Sequence, residues 1–207
     1  MINLISRIAI LGQNDIVVGF LDNDVPEGLP FWDDELHEYL EGTSNTFTFK
    51  SDARHPDSLY LVEGYKIAFK TDRRDYYLNI MIVHRDENEV EVEAWSTNLE
   101  LLNEQVAGID PGEAHSFEWY KNQFDPEKTV QIGLNEVSDK QIKNKWDGEN
   151  TVLSRLYSLA NVFDAELEFV PQLNQDYSLS KIVMNVYRAH SDTVQGIGKA
   201  NVANLTY

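Results

Sequence analysis

Through the first half of the chain, hydrophobic positions alternate with polar ones or run together over strand-length stretches. "LISRIAIL" and "DIVVGFLD" flank the turn-forming "GQN", a pattern that predicts an N-terminal β-hairpin. "DVPEGLP" reads as a loop punctuated by Pro26, Gly28 and Pro30. The next stretch, "PFWDDELHEYL", fits two periods. Trp32, Leu36, Tyr39 and Leu40 have helical spacing, whereas Asp34, Leu36, Glu38 and Leu40 share one face of a strand. The strict alternation of Thr46-Phe47-Thr48-Phe49, after a Gly/Ser/Asn turn, tips both pieces towards strand. "LYLV", "YKIAFK", "DYYLNIMIVHRD" and "EVEVEAWS" are predicted as further strands. In the last, Val90, Val92 and Ala94 face one way and Glu91, Glu93 and Trp95 the other. Roughly seven or eight short strands over residues 1–103 suffice for a small barrel or a sandwich.

The pattern changes after "LELLNE". "AGIDPGEAH" reads as loop, and "SFEWYKNQF" as a short helix with Ser116 as its N-cap. "TVQIGL" is a strand and "VSDKQIKNKWDGEN" a polar connection. "TVLSRLYSLANVF" has the clearest helical period, with Val152, Leu156, Leu159, Ala160 and Phe163 on one apolar stripe. "AELEF" and "KIVMNVYRAH" are strands, and the tail "SDTVQGIGKANVANLTY" closes on another strand-like piece. The fold class is therefore α+β and mostly β: a β-rich region over 1–103, a mixed α/β domain over 104–190, and the start of a further β segment over 191–207.

Composition narrows the function classes. The 207 residues are 42% hydrophobic and 11% aromatic, the make-up of a folded chain. Against 17 Lys and Arg stand 35 Asp and Glu, a formal charge of −18, which repels phosphate backbones. There are no cysteines, which removes thiol nucleophiles, thiolate zinc sites and disulfides together. "MINLISRIAILGQND" lacks a basic leader and a long apolar run, and no window reaches membrane-span length, so the chain reads as soluble. The charges are segregated. From Asp22 to Glu41 there are eight acids, and from Asp86 to Tyr120 ten, with no Lys or Arg in either segment. Lys66, Lys70, Arg73 and Arg74 form the nearest cationic cluster, so copies could meet acid against base.

Candidate chemistry is thin. Asp33, Asp34, Glu35, Glu38 and Glu41 crowd around His37, but neighbouring acids on one element do not converge across a cleft as a hydrolytic pair must. His37 has no HExxH-type partner, so a solvated or inter-subunit face is the better reading. Asp22, Asn23 and Asp24 open like a calcium loop, yet Pro26 and Glu27 occupy the positions where an EF-hand needs an oxygen ligand and a glycine. A turn fits better. "QGIGKA", from Gln195 to Ala200, lacks the rest of either nucleotide fingerprint, and His84 reads as a surface histidine. No catalytic, cofactor-binding or metal-ligating residue is assigned.

Several segments, taken in order, resemble one family. "VGFLDNDVPEGLPFWDDELHEYLEGTSNTFTF" is similar to the N-terminal region of phage and prophage tail proteins of Gram-positive hosts, the prophage endopeptidase tail or tail-associated lysin group. "DYYLNIMIV", "STNLELLNEQ", "EVSDKQI" and "NTVLSRLYSLANVFDAELEF" continue the resemblance over almost the whole chain. It implies a trimeric baseplate hub at the virion's tail tip, built as a β-barrel, an α/β insertion and a second barrel. Such a hub closes the tail tube, lies against the distal tail protein and the tape measure, and lets DNA through without binding it specifically. On that reading residues 1–103 are the small barrel and the chain is a fragment. The family's wall-cleaving activity belongs to C-terminal extensions, so the resemblance carries over no catalytic residue and no cofactor. Two rivals stand beside it: a wall hydrolase using Asp33, Asp34 or Glu38, and a wall-polysaccharide binder using Trp32, Trp95, Trp119 or Trp146.

Overall fold

The computed structural model describes residues 5–38, 45–96 and 102–189. They fall into two compact units. Unit 1 gathers the described residues within Met1–Tyr39, Thr43–Asn98 and Pro171–Ser180; unit 2 gathers those within Leu99–Val170 and from Lys181 onward.

Unit 1 is one seven-stranded sheet. Its strands are β1 (Arg7–Leu11), β2 (Val17–Asp22), β3 (Phe31–His37), β4 (Thr46–Asp52), β5 (Lys66–Lys70), β6 (Asp75–Arg85) and β7 (Glu89–Trp95), in the order β2-β1-β5-β6-β7-β4-β3. Every pairing along it is antiparallel. The β1–β2 hairpin forms where the sequence predicts it, because Asn14 and Asp15 both take the left-handed conformation that a tight hairpin turn needs. Lys66 of β5 caps that turn through an ion pair with Asp15.

The period-2 pattern sets the core. Ile8, Ile10, Leu21, Phe31, Phe47, Phe49, Ile67, Phe69, Tyr76, Leu78, Ile80, Val90, Val92 and Ala94 all point to the inner side of the curled sheet and are buried. Phe47 lies at the centre of a ring series, 5.6 Å from Phe49 and 4.7 Å from Phe69. The outer side of β1, β5 and the start of β6 is also buried. Ala9, Leu11, Ala68 and Tyr77 there are packed against Val17 and against Leu173, Tyr177 and Leu179 of the Pro171–Ser180 segment.

Two expectations are corrected. The seven strands do not close into a barrel: β2 and β3 are edges, and an isolated parallel bridge pairs Leu21 of β2 with Leu29, ahead of β3. Beside that bridge the Asn23 side chain does the work of a strand, donating to the Phe31 carbonyl at 2.8 Å and accepting from its amide at 2.9 Å. "LYLV" is not a strand either. Pro56 starts a 3-10 turn through Tyr60, with the His55 ring accepting from the Asp57 amide.

Unit 2 contains α1 (Phe117–Phe124) and α2 (Val152–Phe163) with strands β8 (Gln105–Ile109), β9 (His115–Ser116), β10 (Val130–Asn135), β11 (Gln141–Ile142), β12 (Trp146–Thr151), and β13 (Ala165–Leu173) and β14 (Leu179–Arg188) apart from residues 171–173 and 179–180, which belong to unit 1. They pair as β10-β14-β13, β11-β9 and β12-β8, with β10 and β14 parallel. Ser116 and Thr151 are the N-caps, accepting from the Trp119 and Ser154 amides. The predicted stripe of α2 is buried at every position. The expected polar connection and the "AGIDPGEAH" loop instead hold β8, β9, β11 and β12. Gly108 is what lets β8 approach β12, since a Cβ there would lie 2.1 Å from the Trp146 carbonyl oxygen. The tail from residue 190, with its expected strand and "QGIGKA", lies outside the described residues.

Candidate assembly surface

The acidic stretch of the sequence is β3, an edge strand. Its register against β4 slips between Trp32 and Glu35, where Asp33 takes φ +52°, so two residues of β3 bulge outward. A bulge and a row of charges are the ordinary way an exposed strand edge is kept from pairing with another chain. The candidate carboxylates are not gathered. Asp33 lies 4.0 Å from the Lys50 ammonium, and Asp34 is exposed. Glu38, past the far end of β3, accepts from Arg74 at 2.7 Å and from the Tyr76 hydroxyl at 2.8 Å. His37 meets Glu35 at 3.3 Å. Among the described residues no three His, Asp or Glu side chains form a group able to hold a metal ion. Glu41 lies outside them.

Beyond β3 the outer face continues over β4 and β7. Trp32, Glu35 and His37 stand opposite Lys50, Thr48 and Thr46, and these in turn stand opposite Glu91, Glu93 and Trp95. Lys50 is held by Glu89 at 3.1 Å, which pushes its ammonium pKa above the ordinary value. The glutamates of β7 thus form one stripe on a face where Lys50 is the cation between β3 and β7. This is the alternation visible in "EVEVEAW", with the core on one side and charge on the other.

The cations expected to complement that face are engaged within their own unit. Lys66 pairs with Asp15, Arg74 with Glu38, and Lys70 donates to the Asn174 carbonyl at 2.8 Å. Arg73 is exposed. In the would-be calcium loop, Asp22 accepts from Arg7 at 2.6 Å and from the Asp24 amide at 2.9 Å. Burial alone would raise the Asp22 carboxyl, but Arg7 and the Asp24 and Val25 amides outweigh it and hold it below the usual carboxylate range. It is a turn-closing residue, as the sequence reading has it.

The four tryptophans differ in exposure and in partner. Trp146 is 7% exposed and donates to the Ser158 hydroxyl at 2.8 Å. Trp119 stacks on His115 with ring centroids 3.7 Å apart, and Trp95 donates to Glu93. Trp32, 36% exposed, is the open one. His84 is at the surface, as expected.

Unit 2 holds the feature that the sequence did not reveal, a buried ion pair. Lys121 and Asp125 are 2.8 Å apart, with side chains 4% and 2% exposed. Asp125 also accepts from the Thr129 and Val130 amides. Burial would raise its pKa, yet Lys121 and the two amides hold it below the usual range. An i,i+4 Lys/Asp pair on a short helix normally signals solvent, so only the aromatic residues around it could have hinted otherwise. Arg155 is buried too, donating to the Asp147 and Gly148 carbonyls at 3.1 and 2.5 Å. These groups cap backbone rather than line a cleft. The shallow hollow between residues 107–110 and 145–149 holds the Lys145–Asp147 pair and no nucleophile–base arrangement.

With that geometry in place, likeness to solved structures becomes informative. A prophage tail protein from Listeria monocytogenes, gp18, matches 87% of this chain at 11% identity with a TM-score of 0.54. The 43 kDa tail protein of prophage MuSo2 from Shewanella oneidensis matches 88% at 12% identity and a TM-score of 0.50. The fold is that of prophage tail proteins. A tail protein from Neisseria meningitidis also matches, at 14% identity and a TM-score of 0.44, too loose to add to the assignment. The chain spans about half the length of these proteins: 50% of the Listeria chain and 55% of the Shewanella chain. No protein-family model and no curated sequence matches it. No described helix is long and apolar enough to cross a membrane.

Proposed function

We propose that this chain is a structural, non-catalytic part of a phage or prophage tail tip. On this reading it is a baseplate hub of the tail-associated lysin type from a Gram-positive host. It works as a homotrimer in the virion, closes the tail tube and lies against the distal tail protein, with the tape measure above and DNA passing through unbound. The observation that carries the reading is the likeness of nearly nine-tenths of the chain to prophage tail folds, together with charged side chains tied to local partners rather than converging on a cleft. The acidic face of β3 and β7 suits a conduit for DNA, because like charge keeps a passing duplex from adhering.

Because one fold serves many functions, assembly is the property to measure. Light scattering on a sizing column, at low and high salt, should give three chain masses. Loss of the trimer at high salt would mark charge pairing as its cement; a monomer at every salt and concentration would sink the trimeric reading. The exposed Trp32 keeps wall-polysaccharide binding as the second reading, and a fluorescence change on adding wall glycans, absent in Trp32→Ala, would favour it. Release of fragments from purified wall by the wild-type chain, lost in Glu38→Gln, would favour the hydrolase.

A further inference from the structure

Arg155 is a buried cation without a counter-charge. It is 5% exposed, and no described carboxylate pairs with it. Its Nη2 donates to the main-chain carbonyls of Asp147 and Gly148 at 3.1 and 2.5 Å, and its Nε finds no acceptor among the described residues. The Phe124 ring, 5.8 Å from the guanidinium, adds only the weak attraction of a cation to a ring. A buried charge held by neutral groups alone is costly, so the site favours any change that puts negative charge on the Asp147 carbonyl. Asp147 and Gly148 are also the chain's one Asp-Gly step. They lie in the bulge of β12, between the Trp146–Ile109 and Glu149–Ala107 pairs. The Asp147 side chain is 81% exposed. Gly148 has φ +66° and open space where a Cβ would stand, so no side chain of its own screens its nitrogen.

We propose that Asp147 is a site of spontaneous isoaspartate formation, promoted by Arg155. The Gly148 amide gives up its proton, and its nitrogen bonds to the carbon of the Asp147 side-chain carboxyl, which releases water. A five-membered succinimide closes. As the amide deprotonates, negative charge develops on the Asp147 carbonyl oxygen, the atom to which Arg155 donates. Water then adds to the Asp147 main-chain carbonyl carbon, and the bond from that carbon to the Gly148 nitrogen breaks. The main chain now runs through the former side chain, and the former main-chain carbonyl is a carboxylate. Net charge is unchanged, but it has moved from an exposed position to the atom that Arg155 touches, where it makes a charge-assisted bond. The carboxylate also has a second oxygen to offer the unpaired Nε. The bulge takes the extra main-chain carbon without breaking a ladder pair, because residues 147 and 148 have no register partner on β8. Lys145, 2.9 Å from the Asp147 carboxylate, keeps it ionised and slows the first step. That pair is open to solvent, so the brake is partial.

The test compares the folded chain with itself unfolded. One portion is incubated folded at neutral pH, and another in urea, which takes Arg155 away from Asp147. Heavy-oxygen water in both labels the carboxylate formed when the succinimide opens. After digestion, electron-transfer fragmentation of the peptide holding Asp147 separates isoaspartate from aspartate at equal mass. The folded chain should gain label at Asp147 and hold a larger isoaspartyl share than the unfolded one. Asp147→Glu should lose the signal, since its ring would need six members. Arg155→Lys should bring the folded share down to the unfolded level. A folded chain without label at Asp147, or with an isoaspartyl share no larger than that of the unfolded chain, overturns the proposal, and this comparison does not depend on whether the Arg155 variant folds.

Discussion

The two units bury their polar groups on opposite terms. Unit 1 draws its core from one curled sheet whose inner positions are almost all apolar, and it sends its charges outward to Lys50, Glu89, Glu91 and Glu93. Unit 2 divides its strands among small sheets of two and three and fills its middle with rings: Tyr120 lies 5.0 Å from Trp146 and 6.2 Å from Phe163, and Phe124 lies 5.2 Å from Trp146. It also takes a lysine, an aspartate and an arginine inside. The long sheet with its period-2 face buries one charged side chain, Asp22, among its described residues. Unit 2 leaves backbone amides and carbonyls outside its small sheets, and Asp125 and Arg155 bond to them. Unit 1 is held by many similar contacts, unit 2 by a few dissimilar ones.

The largest expected effect tests that contrast. Asp125→Ala leaves Lys121 buried without its partner and frees the Thr129 and Val130 amides, at a cost of about 3 to 5 kcal/mol. Hydrogen exchange should show the loss across α1 and β10 and not in β4–β7. Lys121→Met with Asp125→Leu should restore most of it, because a well-packed apolar pair often equals a buried ion pair. Unit 1 has its own sensitive point in Phe47→Ala, which opens a cavity among Phe49, Phe69 and the β7 valines and costs about 3 to 5 kcal/mol by denaturant titration. Here the protection lost should spread over the whole sheet.

Acid should test the buried pair next. The Asp125 carboxyl is held below its ordinary range in the folded state. Its contribution is therefore complete above the unfolded carboxylate pKa and is lost as pH falls through the lower folded value. Unit 2 should loosen in that window, and the Asp125→Leu, Lys121→Met chain should not. At the alkaline end Tyr187, pushed up to about 12 mainly by burial and then by its bond to Glu168, should ionise late. Its stabilisation is whole below the ordinary tyrosine pKa and fades as pH rises towards the raised one. A tyrosinate absorbance titration reads this directly, and Tyr187→Phe should take one tyrosine out of a late step that Tyr76, Tyr77 and Tyr157, also raised by burial, share. A smaller effect belongs to the helices of unit 2 alone. Thr151→Ala removes the cap of α2 and should cost about 1 kcal/mol.

The same contrast explains what could be read in the sequence. β1, β4, β5 and β7 are legible because one face of each is buried along its length, and β2 and β6 because apolar residues run over strand lengths between turn residues. α2 is legible because its stripe repeats over three turns. "LYLV" misleads because four apolar residues fit a strand, whereas Pro56 and the His55 cap commit the chain to a 3-10 turn. β8, β11 and β12 leave no pattern: "WDGENT" is buried only at Trp146 and pairs through backbone that Gly108 allows close. A closed barrel is not written in strand count, since closure depends on where β2 and β3 stop. Nor is the return of residues 171–180 to unit 1, as the covering residues Leu173, Tyr177 and Leu179 look like any strand ends. The acids of β3 were legible as a wet face, but not their bulge.

The smallest prediction concerns that wet face. Glu91 is exposed at the middle of the β7 stripe, with Lys50 opposite it on β4 and already held by Glu89. Glu91→Ala should change stability by no more than about 0.5 kcal/mol, the usual size for an exposed position. If the face serves only to keep unit 1 in solution, nothing else should change. If it meets a neighbour or a passing duplex, Glu91→Gln should leave the monomer's melting nearly unchanged and still alter the salt dependence of assembly. A substitution that is silent in folding but audible in assembly would show that unit 1 keeps its charge outside for a reason its own stability does not supply.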